Sequence, residues 1–264
     1  MGIRIEVFDS WGNTLASAQG EGCAQVVFDR IYQPGDRILI RTEPGAHLRV
    51  SLDPGAGEAL LYLPEGKFEY AVPFGEPRLA YAPGAFEVTR HLIHASPALP
   101  FERTACRDLA RNPLDLPEGT GAFPHVRANA ETRGESVFAA RNVVNGCRAN
   151  HGHGEWPFLS WGVDIAIDAK ITVEFGRPVD ISAMGICIRA DFPHDSWWTQ
   201  ATLTLSDGTS QVFSMTRTDA LQYLDIGRHT VTWARIENWR KFEEPAQFPA
   251  LVSWEIYGTE TATR

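Results

Sequence analysis

Short runs of alternating apolar and polar residues, broken repeatedly by proline–glycine turns, constrain this chain more than any other feature. Ile3, Ile5 and Val7 alternate with Arg4 and Glu6. Further runs follow at AQVVFDR (24–30), RILIRT (37–42), HLRVSL (47–52), ALLYL (59–63), FEYAV (68–72) and FEVTRHLI (86–93). A period of two turns one face of each run inward, as in a half-buried strand. PGD, EPG, DPGAG, PEG and APG fall between the runs. Proline presets φ and glycine accepts positive φ, so each is a point of chain reversal. Strands at this spacing, with no helical period between them, predict an antiparallel sandwich or barrel. We read residues 1–97 as one small β-sandwich domain.

Residues 98–136 hold several prolines and no sustained period. So long a connector is expected to pack on both of its neighbours, with a helical turn around Arg103–Arg111 and with Phe101, Phe123 and Phe138 as anchors. Strand patterning returns in a second domain, 137–264. It appears at ITVEF (171–175), ISAMGICIRA (181–190), ATLTLSDG (201–208), SQVFSM (210–215), HTVTWARIE (229–237) and LVSWEIYG (251–258). The predicted class is all-β with two β-sandwich domains, and no internal repeat relates them.

At 264 residues the chain can bury a sizeable core without covalent staples. A net charge of −9 and the lack of a lysine or arginine run argue against nucleic-acid and anionic-membrane partners. No apolar stretch approaches the ~20 residues that span a bilayer. The N-terminus, MGIRIEVFDSWGNTL, shows no secretory h-region, and the four cysteines are scattered. Both point to free thiols in the cytoplasm, although a secreted chain trimmed of its leader would read the same way.

Chemistry concentrates in two irregular segments, RNVVNGCRANHGHGEWPFLSW (141–161) and DFPHDSWW (191–198). Both place hydrogen-bonding side chains beside indoles, which suits a ligand with apolar faces and hydroxyl edges, such as a sugar. The candidate ligand-binding residues are His151, His153, Trp156, Arg189, Asp191, His194, Asp195, Trp197 and Trp198. If extended, Trp197 and Trp198 point to opposite faces, one buried and one free. Trp161, Trp233, Trp239 and Trp254 are expected in the core. His151-Gly152-His153 would put two imidazoles on one side of a strand, a metal-site spacing that Asp191, His194 and Asp195 could complete. No HExxH or histidine–cysteine pattern supports a metal independently, and none is expected. Arg189 could clamp a ligand or pair with Asp191 inside its own loop. Glu131, Arg133 and Glu135 could form a linker ion network or present an acid to the pocket. His91 and His94 are read as structural. Phosphate-binding glycine loops and a GxSxG elbow are absent.

The second domain resembles the discoidin, or coagulation-factor-5/8 type C, family, which includes many carbohydrate-binding modules. The resemblance is carried by FAARNVVNG with Asn145-Gly146, Trp161, ITVEFGRPVDI, ATLTLSDGTSQVF, HTVTWARIENW and WEIYG, in that order over about half the chain. It implies an eight-stranded jelly roll with ligand loops at one end. Asn145 replaces the aspartate beside which many members hold structural calcium, and few acids lie near it. The terminal cysteine pair of secreted members is missing. The function these features point to is non-catalytic binding of a mono- or oligosaccharide. The alternatives are a carbohydrate-active hydrolase or lyase using the same histidines and aspartates, with or without a metal, and docking to a protein partner or a second copy.

Overall fold

A computed structural model describes residues 1–163 and 168–261. Residues 1–97 contain β1 (Gly2–Phe8), β2 (Thr14–Glu21), β3 (Ala24–Phe28), β4 (Arg37–Arg41), β5 (Ala46–Ser51), β6 (Glu58–Leu63), β7 (Lys67–Ala71) and β8 (His91–Pro97). They form two antiparallel sheets, ordered β2-β1-β4-β7 and β3-β8-β5-β6. Ile3, Ile5, Val7, Ile38, Ile40, Phe68 and Tyr70 of one sheet share a core with Val26, Phe28, Leu48, Val50, Leu61 and Ile93 of the other.

Two departures from the sequence reading have physical causes. The strand expected from Phe86 begins only at His91, because Phe86 sits at φ 61 in a buried turn. Its amide donates to Asp53, which also accepts from Gly55 and meets His91 Nδ1 at 3.0 Å. Strand β2 went unread because TLASAQGE offers small and polar side chains to an exposed edge.

Beyond a short helix α1 (Pro100–Thr104) come β9 (Arg107–Asp108), β10 (His125–Ala128), β11 (Trp161–Gly162), β12 (Ile171–Ile188), β13 (Trp198–Leu205), β14 (Ser210–Ser214), β15 (Gln222–Lys241) and β16 (Ala250–Glu260). They join in one antiparallel sheet, β11-β16-β12-β15-β13-β14, with β10 on β12 and β9 on β16. ITVEF and ISAMGICIRA, read as separate strands, are one strand whose ladder shifts between Glu174 and Val179 and between Ile181 and Ala183. Such irregularities bend a strand, so β12 and β15 fold the sheet over its own core. That core holds Trp161, Val173, Phe175, Ile186, Trp198, Leu203, Ile236 and Trp254. The chain is all-β, and no helix among the described residues is long and apolar enough to cross a membrane.

Of the connector, Leu114 and Ala122 join the first core, and Leu109, Ala110 and Val126 the second. Phe123 is half-buried over Gly176, whose φ of +68 leaves no room for a side chain: a Cβ there would meet the Phe123 ring at 2.4 Å. Phe138 is buried, but Phe101 is 67 % exposed and anchors nothing.

One carboxylate ties the two cores together. Glu260 on β16 pairs with Arg107 at 2.6 Å and accepts Arg177 Nε at 2.7 Å, and His47 of β5 lies 3.4 Å away. Burial alone would raise the Glu260 carboxyl, but His47 and Arg177 outweigh it and hold it well below the usual range. Burial likewise lowers the His47 imidazole. Both groups therefore bind protons less readily folded than unfolded, so stability rises with pH. It is complete above the unfolded histidine value of about 6.5, and is lost as pH falls past that value and then past the unfolded glutamate value of about 4.3. Melting temperature measured from pH 8 to 3 should fall across this window. Glu260→Gln should flatten the part below about pH 4.5.

Candidate functional site

The two loops singled out in the sequence converge. His153 Nδ1 lies 2.9 Å from Asp191 Oδ2, bridging 38 positions of chain. The imidazoles of His153 and His194 stack with centroids 4.7 Å apart and planes 12° from parallel. His194 Nδ1 lies 3.1 Å from Asp195 Oδ1. Each Nδ1 thus faces a carboxylate, which favours an Nδ1–H tautomer and leaves Nε2 as an acceptor. No protein partner meets either Nε2 among the described residues.

Beneath them is a buried ion pair. Arg189 donates Nε and Nη2 to Asp195 at 2.6 and 2.5 Å, and Nη2 also reaches the Phe248 carbonyl at 2.9 Å. The Asp195 side chain is wholly enclosed and that of Arg189 nearly so. The loop-internal partner of Arg189 is therefore Asp195 and not Asp191, which is taken by His153. Nε and Nη2 of Arg189 are thus committed within the site, while the residue also lines the cavity above it.

A cavity of about 230 Å³ opens over these groups, lined by Arg133, Phe138, His153, Arg189, His194 and Phe248 among others. Two of its residues, Arg133 at φ 51 and Phe248 at φ 62, hold the left-handed backbone conformation that side chains other than glycine rarely adopt. Backbone held there by its surroundings is commonest at ligand sites. The Phe248 ring is 51 % exposed while its carbonyl is fixed by Arg189. Sequence inspection missed Phe248, since EEPAQFPA reads as an unremarkable proline loop.

Other candidates fall elsewhere. His151 turns away from His153 and lies 3.3 Å from Asp219, because the segment is irregular rather than a strand. Trp198 is buried against Trp239, and Trp197 stacks on Phe242 at 5.3 Å. Trp156 is 40 % exposed but lines a different cavity, with Arg111 and Arg141. Trp161 and Trp254 are in the core as expected, whereas Trp233 is half-buried with Arg235 stacked over it. His91 is buried on Asp53, and His94 contacts Cys23.

Four possible metal-ligand atoms, from His153, Asp191, His194 and Asp195, lie within 4.8 Å of one another. An ion there would compete with Arg189 for Asp195 and would meet two nearly parallel rings, whose in-plane lone pairs do not converge. Calcium beside Asn145-Gly146 does not fit. Asn145 Oδ1 is taken by the Cys147 amide, and the neighbouring cavity is lined by Arg111 and Arg141 with no carboxylate.

A larger cavity, about 850 Å³, lies between β7 and the connector, bounded by Phe74, Glu118, Glu131, Ser136 and Arg141. Burial raises the Glu131 carboxyl, which accepts the Ala140 amide at 2.7 Å. Arg133 and Glu135 pair with each other.

No protein-family model matches this chain, and no curated protein does. Among solved structures it is similar to a chitosan-binding module of a chitosanase/glucanase from Paenibacillus sp. IK-5, at 15 % identity over 58 % of this chain and 100 % of that one, TM-score 0.40. It is also similar to the family 32 carbohydrate-binding module of NanJ from C. perfringens, solved with galactose, at 13 % identity over 50 % and 91 %, TM-score 0.38. A third is the lectin domain of lectinolysin with Lewis B antigen, at 12 % identity over 58 % and 96 %, TM-score 0.41.

Proposed function

We propose that the chain is a non-catalytic carbohydrate-binding protein that seats a sugar residue in the cavity between the His153 and His194 loops. The observation that carries this reading is the exposed Phe248 ring, held in a strained conformation beside two oriented imidazoles with unpartnered Nε2 atoms. The ring offers a flat apolar face to the C–H side of a pyranose. The Nε2 atoms accept hydroxyl hydrogens, and Asp191 orients the His153 ring from behind. The size of the cavity suits one sugar unit, with further units of an oligosaccharide lying outside it.

Glycan-array screening followed by calorimetry tests this. The wild-type chain should bind at least one neutral glycan, and Phe248→Ala and His194→Ala should each weaken it at least about tenfold, or ~1.4 kcal/mol. Both side chains are exposed enough to be removed without unfolding the domain. Absence of glycan binding, or wild-type affinity in both variants, would contradict the assignment.

A second reading, a metal-assisted hydrolase or lyase acting at the same loops, has the four clustered ligand atoms in its favour and the pairing of Asp195 with Arg189 against it. It requires one equivalent of transition metal in the purified protein, lost in His153→Ala. A metal-free protein that binds glycan unchanged after chelation excludes it.

A further inference from the structure

Two arginines, Arg111 and Arg141, flank the turn at Asn145-Gly146, and neither forms an ion pair with a carboxylate among the described residues. Arg141 is 5 % exposed, yet it meets no carboxylate. Its Nε and Nη2 donate to the carbonyls of Asp115 and Pro113 at 2.7 and 2.6 Å, its Nη1 has no partner among the described residues, and its Cζ lies 4.6 Å from the Tyr81 ring centroid. Buried charges are ordinarily paired, because removing them from water is costly. The nearby Asp115 carboxylate is already committed to His125 and the Val126 amide.

Arg111 is exposed and forms no ion pair among the described residues. The carboxylate that feels its field, Asp108, is turned to the amides of Ala110 and Ile256. Its guanidinium rests over Gly146, at φ +85, where a Cβ would meet Cζ at 2.9 Å. Between the two arginines lies a cavity of about 290 Å³, bounded also by Tyr81, Cys147 and the exposed Trp156, with no acidic residue in its lining.

We infer that this cavity is a second ligand site, for a sugar that carries a carboxylate. Exposed Arg111 supplies the planar donor fork that a carboxylate matches, and the buried Arg141 charge behind it adds attraction. Trp156 supplies the flat face for the ring, and the volume admits one sugar unit. The site is separate from the histidine cavity and does not depend on what binds there.

Calorimetry with glucuronate, galacturonate and mannuronate, each beside its neutral parent hexose and beside acetate and inorganic phosphate, tests the inference on the full chain. At least one uronate should bind at least tenfold more tightly than its parent sugar and than either simple anion. Arg111→Gln and Trp156→Ala should each lose at least tenfold, and Phe248→Ala should leave the affinity unchanged. Bound uronate should also slow alkylation of Cys147, followed by peptide mapping, while the rates at Cys23 and Cys106 stay constant. Equal binding of uronates and parent hexoses, or no loss in either variant, would overturn the site. Acetate or phosphate binding as well as the uronates would overturn its assignment to a sugar. If uronate binding weakens in Phe248→Ala instead, the ligand belongs to the histidine cavity and the second site does not exist.

Discussion

Asp195→Ala should cost the fold about 3–5 kcal/mol, the loss expected when one partner of a buried ion pair is removed. The Arg189 guanidinium would remain enclosed, with the Phe248 carbonyl as its remaining acceptor among those described. That acceptor is itself on a strained residue, so the variant should also free the Phe248 loop and abolish glycan binding. Urea denaturation distinguishes this from a mere loss of attraction. Replacing both partners, as Arg189→Met with Asp195→Leu, removes the stranded charge and should recover most of the stability, since apolar substitutes for buried pairs are often neutral or better. Glycan binding should stay lost in the double variant, because nothing then fixes the Phe248 carbonyl. A single variant within about 1 kcal/mol of wild type would mean that water reaches Arg189, against the enclosure described here.

Trp161→Ala should be comparably severe, about 3–5 kcal/mol, because it empties a large volume from the second core. The indole is fully buried, packs 5.7 Å from the Trp239 ring and donates Nε1 to the Ala130 carbonyl at 2.8 Å. The milder Trp161→Phe keeps most of the apolar area but loses that hydrogen bond, at about 0.5–1.5 kcal/mol. Trp254 provides the contrast. It is as deeply buried, but its Nε1 has no acceptor among the described residues, so Trp254→Phe should cost less than Trp161→Phe. Chemical denaturation of the two phenylalanine variants side by side checks the ordering, and the reverse order would contradict the hydrogen-bond assignment.

What was legible in the sequence follows from the range of the forces involved. Strand alternation and proline–glycine turns are local, so β1 and β3 to β7 could be read directly. Strand β2 could not, since an exposed edge of small residues carries no period, and Phe86 imitated a strand although a left-handed backbone places it in the core. The union of ITVEF with ISAMGICIRA depended on bulges that register alone reveals. Loop chemistry was likewise visible at His153, Asp191 and His194, but their pairing is a long-range fact. Alternation said that one of Trp197 and Trp198 is buried without saying which. Arg189 drew notice as a clamp, yet its fork is spent on Asp195. Phe248, Arg111 and Arg141 had no local signal, because an arginine is marked as unpaired only by what folding fails to bring to it.

The His153–His194–Phe248 cavity is the proposed seat of a neutral sugar. The most direct measurement is a crystal structure of the chain with the neutral glycan it binds most tightly. A pyranose face against the Phe248 ring, with ring hydroxyls within about 3.2 Å of His153 Nε2 and His194 Nε2, is the predicted result. The glycan seated instead in the large cleft beside Glu131, with the histidine cavity empty, would contradict it.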